Sequence, residues 1–215
     1  MSELPARRTD KRVLITEAAT EVFAEKGFRS SRVSDVAKRA GVADGTIYLY
    51  FKNKEDILLS IFEEKMDAVL AGLEVTLAGV QDPIEKISCF ARFHFDQLRT
   101  HRAAAEVLQV ELRLSHKFLK DYRPEKLWAY LAIFGQISRD GQERGLFRRD
   151  IEPFVAMWSF FGAMDELAMQ WILSRKNDRF SLETAADQVS GIFIRGLAAD
   201  VQPVIPQPVI PLEAP

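Results

Sequence analysis

Apolar residues recur along this chain in pairs spaced by about one helical turn, and no segment shows the strict alternation of a half-buried strand. In KRVLITEAATEVFAEK, residues 11–26, the pairs Leu14/Ile15, Ala18/Ala19 and Val22/Phe23 form one sticky face, and Gly27 ends the run. SSRVSDVAKRAG predicts a second helix. Ser31 is its expected N-cap, Asp35 lies where the helix dipole favours a carboxylate, and Gly41 closes it. A third, short helix is expected over about 43–51, with Ile47 and Phe51 four apart and facing a core that includes Val42. Asn53 then caps a long fourth helix with the stripe Ile57, Leu58, Ile61, Phe62, Val69, Leu70, Leu73 and Leu77.

Beyond residue 80 the pattern broadens. DPIEKISCFARFHFDQL opens with Asp and then Pro at the first helical position, a strong start signal. Further helices are expected at about 102–115, 117–144, 153–174 and 181–199, with Pro124 breaking or kinking the second of them. QERGLF and SRKNDRFS read as connections. The ending VQPVIPQPVIPLEAP, with its near-repeat QPVIP, cannot be helix and reads as a disordered or extended tail. The prediction is an all-α protein: a small three-helix domain over 8–52, a larger helical domain over 53–199, and a proline-rich tail over 200–215.

Composition changes this picture little. The chain has 215 residues, 47% hydrophobic and 28% charged, with a net charge of -2, which argues neither for nor against nucleic acid. The single cysteine, Cys89, excludes an intramolecular disulfide and a thiolate zinc cluster, and reads as a small buried thiol. No apolar stretch follows the basic residues of MSELPARRTDKR, and nowhere do about 18 apolar residues run together, so neither a signal peptide nor a membrane span is expected. A cytoplasmic protein is the simplest expectation. His94, His101 and His116 are the only histidines; they include no i,i+4 metal pair and sit in no nucleophile–base motif, so no metal, cofactor or enzymatic activity is expected.

Three short helices, the second and third joined by a tight turn at Gly41-Val42, follow helix-turn-helix logic. With Ile47 and Phe51 inward, Thr46, Tyr48, Leu49 and Tyr50 are turned outwards or to the flanks. Gly45 keeps the start of the third helix thin enough for close approach to a groove wall. Tyrosine offers an apolar ring for sugars and thymine methyls and a hydroxyl for phosphate. Lys52 and Lys54 follow, and Lys54 is placed to add its ammonium to the dipole of the helix it opens. The competing reading is that the tyrosines simply pack against the larger domain. Residues 1–60 hold 11 Lys/Arg against 9 Asp/Glu, a weak positive balance. Arg7, Arg8, Lys11 and Arg12 form its one cluster, either a DNA-contacting arm or a solvated one.

GFRSSRVSDVAKRAGVADGTIYLYFKNKEDIL also resembles the N-terminal domain of TetR-family transcriptional regulators, over roughly fifty residues. The Gly-Phe that ends helix one, the Val-x-Asp-Val-Ala of helix two and the Gly-Thr-Ile-Tyr turn of the recognition helix carry the match. The resemblance implies DNA contacts at Arg32, Ser34, Gly45, Thr46, Tyr48, Leu49, Tyr50 and Lys54. Two departures stand out. Ala43-Asp44 replaces the common Ser-Lys, removing a phosphate contact, and Leu49 replaces an aromatic or histidine, leaving only apolar contact to a base. One such domain spans few base pairs, so a two-fold homodimer on a palindromic operator is expected.

The larger domain must be read for its own chemistry. Phe90, Phe93, His94 and Leu98 fall within two turns; Phe134, Trp158, Phe160, Phe161, Met164, Met169 and Trp171 add to them. These residues can line an apolar tunnel or fill a bundle core and dimer face, and each single aromatic is compatible with both. The helices at 153–174 and 181–199, apolar on more than one side, are the dimer candidates. Glu111, Arg113, Asp165 and Glu166 are polar residues within apolar helices, and a buried Asp165 would need partners. VLQVELRLSHKFLKDY and GAMDELAMQWIL, with the N-terminal domain, resemble the fatty-acid-metabolism regulators of the family (FadR type) over most of residues 10–198. That resemblance implies a repressor released by long-chain acyl-CoA. Phe90, Phe93, His94, Leu98, Leu108, Glu111, Leu112, Arg113, Phe134, Phe161 and Asp165 would line the ligand site. Arg92, Arg99, Arg102 and Arg113 are candidates for CoA phosphates at its mouth. Alternatives are a sensor of a drug or aromatic compound, with Asp165 and Glu111 serving a cation, and an architectural DNA binder without effector.

Overall fold

The structure, a computed structural model, describes residues 4–111, 122–174 and 179–199, apart from the side chains of residues 4–10 and Glu111. The described chain is all-α: α1 (Leu4–Lys26), α2 (Val33–Ala40), α3 (Asp44–Ile47), α4 (Lys54–Leu77), α5 (Pro83–Thr100), α6 (Arg102–Glu106), α7 (Glu125–Glu143), α8 (Pro153–Leu173) and α9 (Leu182–Leu197). The only extended pairing among the described residues is an isolated bridge, Phe147 to Ala198.

The start and stop signals work as read, with one exception. Gly27 and Gly41 end α1 and α2 at φ of 77° and 66°, in the left-handed region where glycine is unstrained. The side chain of Asn53 accepts from the Asp56 N–H at 2.8 Å, and that of Asp82 from the Ile84 N–H at 3.0 Å, so both helix starts are capped. Pro124 immediately precedes α7, which begins at Glu125, so the expected helix from 117 is interrupted; residues 117–121 of it lie outside the described residues. Ser31 is the exception. It is buried, its hydroxyl donates to the Phe28 carbonyl at 2.9 Å, and Arg32 takes the N-cap position, its own N–H held by Asp35 at 2.8 Å. A serine spent on the preceding turn cannot cap the next helix.

α1 reaches back to Leu4, so the basic residues expected to form an arm continue a helix instead. Arg12 is committed to α4: its guanidinium donates to Ser60 Oγ at 2.8 Å, approaches Glu64 at 3.4 Å and lies 4.8 Å from the Phe51 ring centroid. Ile15, Ala18, Ala19, Val22 and Phe23 are buried as the pattern requires, but Leu14 is 44% exposed, on the flank beyond the stripe that meets α2 and α4. Ile47 and Phe51 close the small core from the other side, at 1% and 2% exposure. Truncating either would cost about 2–5 kcal/mol.

In the larger half, α5 runs through the centre, packed against α4, α7, α8 and α9. Phe90, on its inner face, touches Tyr130, Phe134 and Phe160, and Phe134 stacks on Phe160 at 4.1 Å between centroids. Gly141 on α7 is dictated by packing, since a Cβ there would lie 2.0 Å from the Phe147 ring. That ring seats the link between α7 and α8, and the Phe147–Ala198 bridge ties the end of α9 to it. Cys89 is free and half-buried, less enclosed than expected.

Candidate DNA-binding surface and ligand cavity

The small domain presents a short recognition element. The expected helix over 43–51 is one helical turn, Asp44–Ile47, followed by tight turns. Leu49 and Tyr50 donate to the carbonyls of Thr46 and Ile47, three residues back, at 3.2 and 3.0 Å. This tightening turns Tyr48 and Leu49 into solvent, at 59% and 71% exposure, while Ile47 stays inside. Gly45 is exposed with nothing near its Cβ position, Arg32 and Ser34 are exposed on the start of α2, and Thr46 is half-buried. Tyr50 is half-buried against the core and has interactions of its own, so it offers less free surface than Tyr48.

Lys54 sits differently from the expectation of a free ammonium beside a phosphate. Its Nζ donates to the carbonyls of Phe28 and Ser31, the latter at 2.8 Å, approaches that of Arg29 at 3.4 Å, and lies 4.5 Å from the Phe28 ring centroid. All three ammonium hydrogens are directed at the α1–α2 turn. Lys54 therefore pins the start of α4 to the helix-turn-helix. Ion pairs brace the same unit: Arg39 with Glu21 and Glu25, and Lys26 with Asp35, whose carboxyl is held below its ordinary pKa by the lysine hydrogen bond first and the Arg32 N–H second.

Inside the larger half lies a cavity of ≈ 320 Å³ between α4, α5, α6, α7 and α8, most of its wall apolar. Of the sequence-predicted ligand residues, Phe93, His94, Leu98, Leu108, Phe161 and Asp165 line it. Phe90 and Phe134 do not: they belong to the stacked core behind it, fully enclosed by Tyr130 and Phe160. Leu112, Arg113 and the side chain of Glu111 lie outside the described residues. Sequence reading missed the contribution of α4, namely Phe62, Lys65, Met66 and Val69, as well as Gln97, Ala104, Gln109, Leu127 and Tyr130. A polar residue embedded in an apolar run, as Gln97 and Gln109 are, was the available signal. The exposed members of the lining, Ala68 and His101, mark where the cavity opens.

Of the arginines expected at the mouth, Arg92 pairs with Asp187 and Arg99 with Asp96, both on the surface, and Arg102 lies over the Trp171 ring at 4.7 Å. None of the three lines the cavity; Lys65 does. His94 borders the cavity with part of its ring but is set deep in protein, and burial lowers its pKa to about 4, so the imidazole is neutral. Its Nδ1 is 2.8 Å from the Tyr130 hydroxyl, whose own pKa burial raises. α6 continues into one π-helical turn, Val107–Glu111, where regular helix is expected; residues 112–115 of that expectation lie outside the described residues, and the turn lines the cavity and packs against α1. Among the described residues no three His, Cys, Asp or Glu are grouped to hold a metal ion, and no helix is long and apolar enough to cross a membrane.

Comparison with known proteins finds two family regions along the chain. Residues 15–61 match the family of bacterial regulatory proteins, tetR family, and residues 62–196 match the YsiA-like protein C-terminal region. The chain is 36% identical over 191 residues to the fatty acid metabolism regulator protein of Bacillus subtilis (strain 168), covering 89% of this chain and 97% of that one. The structure of the fatty acid degradation regulator FadR from Bacillus halodurans superposes with a TM-score of 0.80 at 35% identity, over 92% of this chain and 98% of that one. FadR from B. subtilis, in a crystal structure with stearoyl-CoA, superposes with a TM-score of 0.79 at 37% identity, over 86% and 98%. The chain thus belongs to the TetR family of bacterial transcriptional regulators, with a YsiA-like C-terminal region, and like these relatives it is a regulator and not an enzyme.

Proposed function

We propose that the protein is a cytoplasmic homodimeric repressor of fatty-acid degradation genes, bound to a palindromic operator and released by a long-chain acyl-CoA. One observation carries the effector reading: the apolar cavity opening at Ala68 and His101 lies in the region shared with a relative whose structure holds stearoyl-CoA. An acyl chain needs such a dry channel, since each buried methylene contributes about 0.8 kcal/mol. The CoA phosphates would lie outside the opening, with Lys65 the lysine that the lining offers them. Arg32, Ser34, Gly45, Thr46, Tyr48, Leu49 and the exposed part of Tyr50 would meet the DNA, while Lys54 holds the reading head in place.

The dimer reading rests on an aromatic surface of α7 and α8. Trp128 and Trp158 meet edge to face at 5.4 Å, with Phe154 beside them at 58% exposure, and Ile192 on α9 is equally uncovered. A second copy of the chain would bury this face. A second reading has a drug or aromatic cation as effector: Asp165 stands in the cavity wall with interactions of its own, which it would exchange for the cation. Fluorescence anisotropy on a palindromic promoter fragment separates the two. Release by palmitoyl-CoA but not by free CoA supports the acyl-CoA reading. Tight DNA binding indifferent to palmitoyl-CoA and lost with an aromatic cation supports the second.

A further inference from the structure

We propose that Phe93 limits the length of acyl chain the cavity accepts, and that Gly72 on α4, a residue outside the lining, fixes where the Phe93 ring stands. This rests on the acyl-CoA reading above. Three phenylalanines line the cavity, Phe62, Phe93 and Phe161. Phe62 meets the Tyr122 ring and Phe161 the Trp158 ring, each edge to face, so aromatic neighbours hold both in place. Phe93 packs against the core but has no aromatic partner among the described residues. The tip of its ring rests on α4 instead. A Cβ at residue 72 would lie 2.9 Å from Phe93 Cζ and 3.0 Å from Cε2, closer than carbon atoms pack.

Gly72 has no conformational reason to be glycine. It sits inside α4, where glycine is a poor helix former, and it is not among the glycines with positive φ. The ring supplies the reason, because only a residue without a side chain lets Phe93 lie against the helix backbone. The pair therefore sets one wall of the cavity from outside it. A side chain added at 72 must displace the ring tip, and the space beside the ring is the cavity it lines. Removing the ring enlarges the same space. Each methylene kept from burial costs a ligand about fourfold in affinity. A chain that fills the cavity meets this wall, whereas a shorter chain leaves room and is indifferent to it.

The test measures palmitoyl-CoA and lauroyl-CoA by calorimetry on the full chain, and reads the ratio of the two affinities. Gly72→Ala should lower the palmitoyl-to-lauroyl ratio about fourfold, the equivalent of one methylene, with lauroyl-CoA affinity unchanged, which also reports that the variant is folded. Phe93→Ala should raise the ratio by about fourfold or more. Gly72→Ala combined with Phe93→Ala should match Phe93→Ala alone, since no ring is left to displace; Phe93→Leu serves in both places if the alanine variants do not fold. The wild-type ratio in Gly72→Ala, or the same fall with and without the Phe93 ring, overturns the proposal while the acyl-CoA reading stands. If wild type binds neither compound, the acyl-CoA reading fails and the proposal falls with it.

Discussion

Lys54→Met separates two roles for one lysine. In the structure the Lys54 ammonium serves the Phe28 and Ser31 carbonyls at the α1–α2 turn and lies over the Phe28 ring. Hydrogen bonds to a charged group contribute about 1.5–3 kcal/mol each, and the cation–π contact about 0.5–1. The site is half-buried, so water replaces part of what the substitution removes, and the net loss is about 2–3 kcal/mol. For a chain of this size that lowers the Tm by about 4–10 °C. Operator affinity should fall as well, because the start of α4 is no longer fixed against the helix-turn-helix. The slope of log affinity against log salt should not change, since no phosphate contact is lost. A phosphate-binding lysine gives the opposite pattern: a nearly unchanged Tm and a slope smaller in magnitude by about 0.9. Thermal melts with anisotropy titrations at four salt concentrations decide it, and a slope reduced by about one at constant Tm would refute the structural assignment.

Other expectations follow from the same geometry. Tyr48→Ala, at an exposed position, should weaken operator binding by about 1–2 kcal/mol in anisotropy titrations while the Tm stays within about 1 °C. Ala104→Leu, in the buried cavity wall, should cut palmitoyl-CoA affinity by about tenfold and spare shorter acyl chains, measured by calorimetry. Trp158→Asp places a charge in the exposed aromatic face and should yield monomers in sedimentation velocity; an intact dimer would move the interface elsewhere. Stability should fall as pH drops from 6.5 towards 4, because the unfolded chain takes up a proton that folded His94 refuses, at up to about 1.4 kcal/mol per pH unit. His94→Asn should flatten that part of the curve in pH-dependent melts.

What could be read in advance was local. Gly41, Asn53, Asp82-Pro83 and Pro124 act on backbone within a few residues of themselves, and each does what its chemistry requires. The inward faces of α1 and α4 follow from spacing alone. The limits appear where partners come from far along the chain. Lys54 looked free because its acceptors are carbonyls about 25 residues away, in a turn that only the folded domain brings near. Phe90 and Phe93 lie three residues apart on α5, and periodicity places both inside; it cannot say that one meets Phe134 and Phe160 while the other borders a void. Ser31 departs from its expected cap because two turns compete for its hydroxyl, and the Phe28 carbonyl wins.

Signal transfer from cavity to operator needs little energy and has a physical route. α4 begins at the Lys54 tie and contributes Phe62, Lys65, Met66 and Val69 to the cavity, while the π-helical turn both lines the cavity and packs on α1. A ligand seated there pushes on two elements that hold the small domain. Phe93 sharpens the contact with α4: its ring lies so close to Gly72 that a Cβ would come within 2.9 Å. Lowering operator affinity a hundredfold requires about 2.8 kcal/mol of difference in ligand binding between the released and DNA-bound shapes. At about 0.8 kcal/mol per methylene, that is the better burial of three or four methylenes in the released shape. A ligand that filled the cavity equally well in both shapes would bind tightly and release nothing.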